Sequence, residues 1–251
     1  MSLLWRKKHL RIGLGPDRVM VSGAKAVDVP QPDGDWRAAL ALLPEVLDTH
    51  RKSEASIVLA DQFVRYALLP WNETLKTGEQ WLALARHRFS TVHGERAEEW
   101  EVKVAETAPC GPRLACALDR ELIEALAATF VSGGTRLVSV QPFLVAAYNR
   151  ICASISRTFG SGTCWVVVEE RGRLTLVLIQ RGVWIAIRAR RCDARWRIVL
   201  PEILERESAF LGLGEPCTRV IVCAQEGFDT EMHDAWRAHA LSYRDLALAL
   251  E

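Results

Sequence analysis

A chain of 251 residues with 49% hydrophobic content can bury one sizeable core or two small ones, and it is too apolar for a disordered segment. Lys plus Arg number 32 against 31 Asp plus Glu, which excludes a global field that would gather nucleic acid or an acidic substrate and leaves only local basic contacts. No apolar run approaches the roughly 20 residues of a membrane-spanning helix.

The start, Met1-Ser-Leu-Leu-Trp-Arg-Lys-Lys8, puts its positive charges after a very short apolar patch, the reverse of a secretory signal, so a cytoplasmic protein is expected. Leu3, Leu4 and Trp5 beside Arg6, Lys7 and Lys8 read as a strand end or frayed terminus, with contact to an anionic membrane surface as the sharper alternative. Next come an extended pair, Leu10 to Leu14 and Arg18 to Ser22, around a turn at Gly15-Pro16-Asp17. Beyond the polar loop from Pro30 to Asp35, Leu40, Leu43 and Leu47 predict one helix over about Trp36 to Thr49. Ala55 to Ala60 and Phe63 to Leu69 read as a hairpin across Asp61-Gln62, closed by Pro70 and Asn72.

Trp81, Leu82, Ala85 and Phe89 fall on one side of a helix, and Trp100 to Ala105 alternates like a strand. Arg113 to Leu118 is a further strand. Asp119 is an N-cap for a helix through Leu122, Ile123, Leu126 and Phe130, which Gly133-Gly134 stops. Arg136 to Val140 runs to Pro142, expected as the first residue of a helix carrying Leu144, Ala147, Tyr148, Ile151 and Ile155.

After the Gly160-Ser-Gly162 loop, Thr163 to Arg191 reads as a three-stranded meander turning at Glu170-Arg171-Gly172-Arg173 and Gln180-Arg181-Gly182. Ser161 lacks the frame of a nucleophile elbow. A helix with Ile203, Leu204, Phe210 and Leu211 follows, with Pro201 in its first turn or at a kink. Thr218 to Ala224 is a buried strand, and a helix is expected around Met232 to Ala240. A meander extended by a helix-linked strand is the plan of a ribonuclease H-like half, and the amino-terminal half reads as a decorated version of it. Residues 1–141 would form the first half with an inserted subdomain, and residues 142–251 the second.

Seven scattered cysteines without a Cys-x-x-Cys pair, and six histidines without a zinc-binding pair, point to small hydrophobes in a reducing compartment and to no metal site. Of the nine tryptophans, Trp5, Trp71, Trp81 and Trp100 sit near element ends. Each is expected in the core, an exposed partner anchor being the alternative. Arg188, Arg190, Arg191, Arg195 and Arg197 form the densest basic cluster. It reads as a charged strand edge that prevents unwanted pairing, or as a contact for an acidic partner or anionic lipid.

Three stretches carry a resemblance: "MSLLWRKKHLRIGLG" at the start, "VRYALLPW" from Val64 to Trp71, and "ACALDRELIEALAATFVSGGTRLVSVQP" from Ala115 to Pro142. Their pattern resembles the actin-like pilus and secretion assembly proteins: the PilM type of type IV pili, the MshI relatives and the cytoplasmic domain of GspL. The resemblance implies an α/β chain with the actin-like ATPase fold, two ribonuclease H-like halves of mixed sheets flanked by helices. It also implies an inner-membrane partner, PilN-like or GspM-like, contact with an assembly ATPase, and a cytoplasmic place peripheral to the inner membrane; no nucleic-acid partner is expected, since Trp184 and Trp196 interleave with the arginines but no cluster of Asp and Glu accompanies them.

In the family's nucleotide binders the first strand reads roughly Gly-Ile-Asp-Ile-Gly, and its Asp holds hydrated Mg²⁺. Here Gly13 stands in that place, before Gly15. The second phosphate turn, roughly Asp-Ile-Gly, is replaced by Glu169-Glu170-Arg171-Gly172-Arg173, which brings charge and bulk where backbone N–H groups should meet an anion. A later double glycine is reduced to Gly227. These degenerate positions imply no cofactor, no catalytic residue and a scaffold. The alternative is an ATPase of the same fold with Glu169 as the metal ligand.

Overall fold

The structure is a computed structural model that describes residues 9–22, 26–30, 32, 34–105, 110–159, 162–170, 172–214, 217, 219–224 and 236–240; for 154, 156–159 and 236–240 it describes the backbone alone. The expected terminal membrane patch, Trp5, Arg171, Ser161 and Gly227 lie outside these residues.

Two five-stranded sheets repeat one topology. In the first, β1 (His9–Leu14) is antiparallel to β2 (Arg18–Val21), which pairs with β3 (Val27–Asp28). On its other side β1 is parallel to β4 (Glu54–Leu59), and β4 to β8 (Arg136–Pro142). In the second, β9 (Thr163–Glu170), β10 (Arg173–Gln180) and β11 (Val183–Arg191) form the predicted meander. Beyond β9 lie β12 (Val220–Ala224) and β13 (Trp236–Ala240), both parallel. The orders β3-β2-β1-β4-β8 and β11-β10-β9-β12-β13 are therefore the same arrangement twice.

The strand β13 corrects the expected helix over Met232 to Ala240. All five residues of β12 are buried, and its edge away from β9 needs a backbone partner, which 236–240 supply. The expected hairpin across Asp61-Gln62 is also corrected. Both edges of β4 are already taken by β1 and β8, so a single 3₁₀ turn at Asp61–Phe63 passes the chain out of that sheet. It enters β5 (Val64–Leu69), which pairs instead with β7 (Arg113–Asp119) in a separate sheet completed by β6 (Trp100–Val104).

The helix expected over Trp36 to Thr49 is two, α1 (Trp36–Leu40) and α2 (Leu43–Asp48). Pro44 in the first turn of α2 cannot donate to a preceding turn, so the helix restarts there. In the inserted unit, α3 (Gly78–His93) begins with a capping box of Thr77 and Gln80 and buries Trp81, Ala85 and Phe89. Asp119 caps α4 (Arg120–Ser132) as expected, accepting the Glu121 N–H and, at 3.3 Å, the Trp36 indole N–H. Pro142 ends β8, and α5 (Phe143–Phe159) starts one residue later. Pro201 sits inside α6 (Trp196–Phe210), where Trp196, Leu200 and Leu204 are buried while Phe210 is exposed beneath the Arg188 guanidinium.

One apolar core spans both five-stranded sheets. Ile12, Ile57 and Leu59 of the first, Leu126 and Phe130 of α4 and Phe143 and Ile151 of α5 pack with Val166, Val168, Val177 and Ile221 of the second. The alternate residues Trp165, Val167, Leu176 and Val222 point to the opposite face and pack on α6, so the central strands read as continuous apolar runs. Trp81, Phe89 and Trp100 fill a third core within the inserted unit. Of the four singled-out tryptophans, Trp81 and Trp100 are thus in the core and Trp71 is exposed, its ring stacked on Trp81 at 5.7 Å.

Candidate functional site

In an open sheet with parallel strands, ligands collect at the strands' carboxyl ends. Here those ends belong to β1, β4 and β9, and they meet at the seam between the two sheets. The first turn offers no metal ligand: Gly13 is buried in mid-strand between Met20 and Val58, and the Gly15 N–H is spent on the Arg18 carbonyl at 3.0 Å.

At the second turn the two glutamates part. Glu169, half-buried, pairs in register with Leu174 and Ala224. Glu170 is buried, and its Oε2 accepts the Asp61 N–H at 2.8 Å. Gly172 holds φ +80°, where a Cβ would lie 3.4 Å from the Cys192 carbonyl oxygen, so this tight turn favours glycine.

Asp61 is the centre of the seam and is fully enclosed. Its Oδ1 accepts the Leu144 N–H at the start of α5, at 2.9 Å, and the Tyr66 hydroxyl. Burial pushes its carboxyl up to about 6, against the pull of Tyr66, the Leu144 N–H, the Arg173 charge and a side-chain hydrogen bond with Glu170. The result is one network joining the end of β4, the end of β9, strand β5 and the first turn of α5. Neither Asp61 nor Tyr66 was singled out in the sequence. The available signal was an Asp directly after the apolar run Ile57-Val-Leu-Ala60, at the carboxyl end of a strand.

The arginine cluster divides. Arg190 pairs with Glu207 at 3.1 Å and Arg188 approaches the same carboxylate at 3.8 Å. Arg197 lies over the Trp196 ring at 5.0 Å, and Arg195 and Arg191 are exposed. Strand β11 is the edge of its sheet, as the charge pattern suggests.

That edge faces another. Strand β5 is an edge of the inserted sheet and lies against β11, and a cavity of about 340 Å³ opens between Tyr66, Ala67 and Leu68 on one side and Ile185 to Arg188 on the other. A second, more apolar cavity of about 330 Å³ shares Leu68 and Pro112 with it and is walled by Val145, Tyr148 and Trp184. The Trp184 ring meets Tyr148 edge-on at 4.9 Å. Together they make a groove with edge strands of two sheets along its sides, neither edge paired among the described residues.

The seven cysteines are free thiols, with Cys164 and Cys223 buried and Cys110 exposed. Among the described residues no group of His, Cys, Asp or Glu is arranged to hold a metal ion, and no helix is long and apolar enough to cross a membrane.

No protein-family model and no curated protein sequence matches the chain. Solved structures do. The PilM–PilN type IV pilus biogenesis complex is similar over 87% of this chain and 82% of its own, with 14% identity and a TM-score of 0.63. The cytoplasmic domain of EpsL, an inner membrane component of the type II secretion system of Vibrio cholerae, is similar over 96% and 92%, with 12% identity and a TM-score of 0.58. A Bacteroides thetaiotaomicron protein of actin-like ATPase fold and unknown function is similar over 99% and 98%, with 15% identity and a TM-score of 0.60. With one sheet topology repeated on either side of a shared core, this chain has the actin-like fold of two ribonuclease H-like halves.

Proposed function

We propose that this chain is a nonenzymatic scaffold of a type IV pilus or type II secretion inner-membrane assembly platform. It works at the cytoplasmic side of the inner membrane and binds the cytoplasmic tail of a PilN-like or GspM-like membrane partner. Residues 1–141 and 142–251 are its two halves. The observation that carries the reading is Glu170. Where backbone N–H groups would meet a phosphate, a buried carboxylate reaches over the seam to the Asp61 N–H instead. A triphosphate there would face negative charge, and Gly13 supplies no ligand for its Mg²⁺. Gly15, Glu169, Gly172 and Gly227 are what is left of the nucleotide positions.

The likeness to the PilM–PilN complex and to EpsL supports the assembly role. The groove between β5 and β11 is the tail site in this reading. An extended segment laid along either edge gains backbone hydrogen bonds, and its apolar side chains enter the pocket of Leu68, Val145 and Trp184. The assembly ATPase is a further partner, and Arg195 and Arg197 are candidates for contact with an acidic partner or anionic lipid.

Two measurements test this. In a thermal-shift assay Mg-ATP should leave the melting temperature unchanged, and a synthetic cytoplasmic tail of a PilN-like or GspM-like membrane protein should raise it. A rise with Mg-ATP that Glu169→Ala abolishes would instead establish the nucleotide-binding alternative.

A further inference from the structure

Beside the second turn, on the side of β5 and β11, lies a cavity of about 470 Å³ lined by Gly34, Gln62, Arg65, Gly172, Arg173, Ala189, Arg190 and Arg191. Four arginines from three strands line it, and its described lining contains no carboxylate. Like charges gathered in a partly enclosed space repel, and arginine cannot relieve this by losing its proton. The strain is visible in Arg65: burial and then the charges of Arg173 and Arg96 push its pKa down.

From outside the cavity Asp61 acts on Arg173 and Glu207 on Arg190. Arg65 spends its Nη1 on the carbonyls of Gln62 and Val64, and among the described residues neither it nor Arg191 has a carboxylate partner. The Nε of Arg173 is buried with no hydrogen-bond partner. Planar guanidiniums with free donors match the oxygens of a phosphate.

We propose that this cavity is a metal-independent binding site for a phosphate-bearing anion, with Arg65, Arg173 and Arg191 as its ligands and Arg190 held at its wall by Glu207. The volume falls within the range of small-molecule sites and exceeds what a single phosphate fills, so the ligand class is a pyrophosphate-like anion or the phosphate of a larger ester. Lacking a carboxylate to hold Mg²⁺, the site neutralises the anion with guanidiniums alone. The inference is independent of the scaffold reading, since an arginine cavity beside the turn needs no triphosphate between the halves.

The test is calorimetric titration of the intact chain with inorganic phosphate and with pyrophosphate at constant ionic strength, with and without EDTA, alongside flotation with phosphatidylcholine vesicles that contain or lack phosphatidylglycerol. Pyrophosphate should bind equally well in EDTA, and Arg191→Gln and Arg173→Gln should each weaken it about tenfold or more. Binding only to phosphatidylglycerol vesicles, with the same dependence on these arginines, would assign the phosphate to a lipid headgroup. Arg191 is exposed, so its variant stays folded. Absence of binding in both arms, or binding indifferent to Arg191→Gln, overturns the proposal.

Discussion

The Asp61 N–H donates to the Glu170 carboxylate at 2.8 Å, joining residues 109 positions apart across the seam between the halves. A carboxylate at the second turn is thereby turned into the protein, where it acts as a structural tie.

Removing that tie leaves the Asp61 N–H buried without an acceptor. Glu170→Ala is expected to destabilise the chain by about 1–3 kcal/mol, while Glu170→Gln, which keeps an amide oxygen, should cost less. Urea denaturation of the two variants checks the order; an alanine variant as stable as the parent would mean the bond contributes nothing.

Asp61 makes stability fall as pH rises. Its folded pKa of about 6 lies above the ordinary 3.8, so the folded state holds the proton more tightly than the unfolded chain. This contribution is fully present below 3.8 and is lost as pH rises through about 6, with a ceiling of about 3 kcal/mol. Asp61→Asn keeps an acceptor for the Leu144 N–H and for Tyr66. Its stability relative to the parent should therefore improve from about pH 4 to about pH 8. A difference between variant and parent that stays flat with pH would contradict the assignment.

Gly133 is where α4 meets α2. A Cβ there would sit 2.8 Å from the Leu47 Cβ and 3.3 Å from the Thr129 carbonyl oxygen, so Gly133→Ala should cost about 1–3 kcal/mol despite its better helix propensity. Gly78, at the first position of α3, has open space around it, and Gly78→Ala should be neutral or stabilise by about 0.5 kcal/mol. Melting temperatures of the pair separate packing from propensity.

If the groove between β5 and β11 holds the partner's tail, Trp184 is its aromatic anchor. Trp184→Ala should weaken a tail peptide by about 2 kcal/mol, close to thirtyfold in Kd, and should lower the melting temperature as well, because the ring also packs on Tyr148 and the main core. Titration of the peptide into both proteins reads this directly, and equal affinity would move the tail site elsewhere.

Much was legible from local chemistry. The meander from Thr163 to Arg191 follows from β-branched runs broken at Gly172 and Gly182, and α4 from the Asp119 cap and the glycines after it. Gly13 in place of a metal-holding carboxylate is a fact of the sequence alone.

What tertiary structure decided was partner choice. Leu59 and Val64 belong to two strands of the same local character on either side of Asp61, and only the occupied edges of β4 send the second strand to another sheet. Residues 236–240 become a strand because β12 has an open edge to satisfy. Periodicity records which residues seek burial; it carries no information about which distant backbone will take their hydrogen bonds. For the same reason Glu170 is one more charged residue of its turn until folding brings the Asp61 N–H to it, and Arg65, Arg173 and Arg191 stand far apart in the chain until three strands gather them around one cavity.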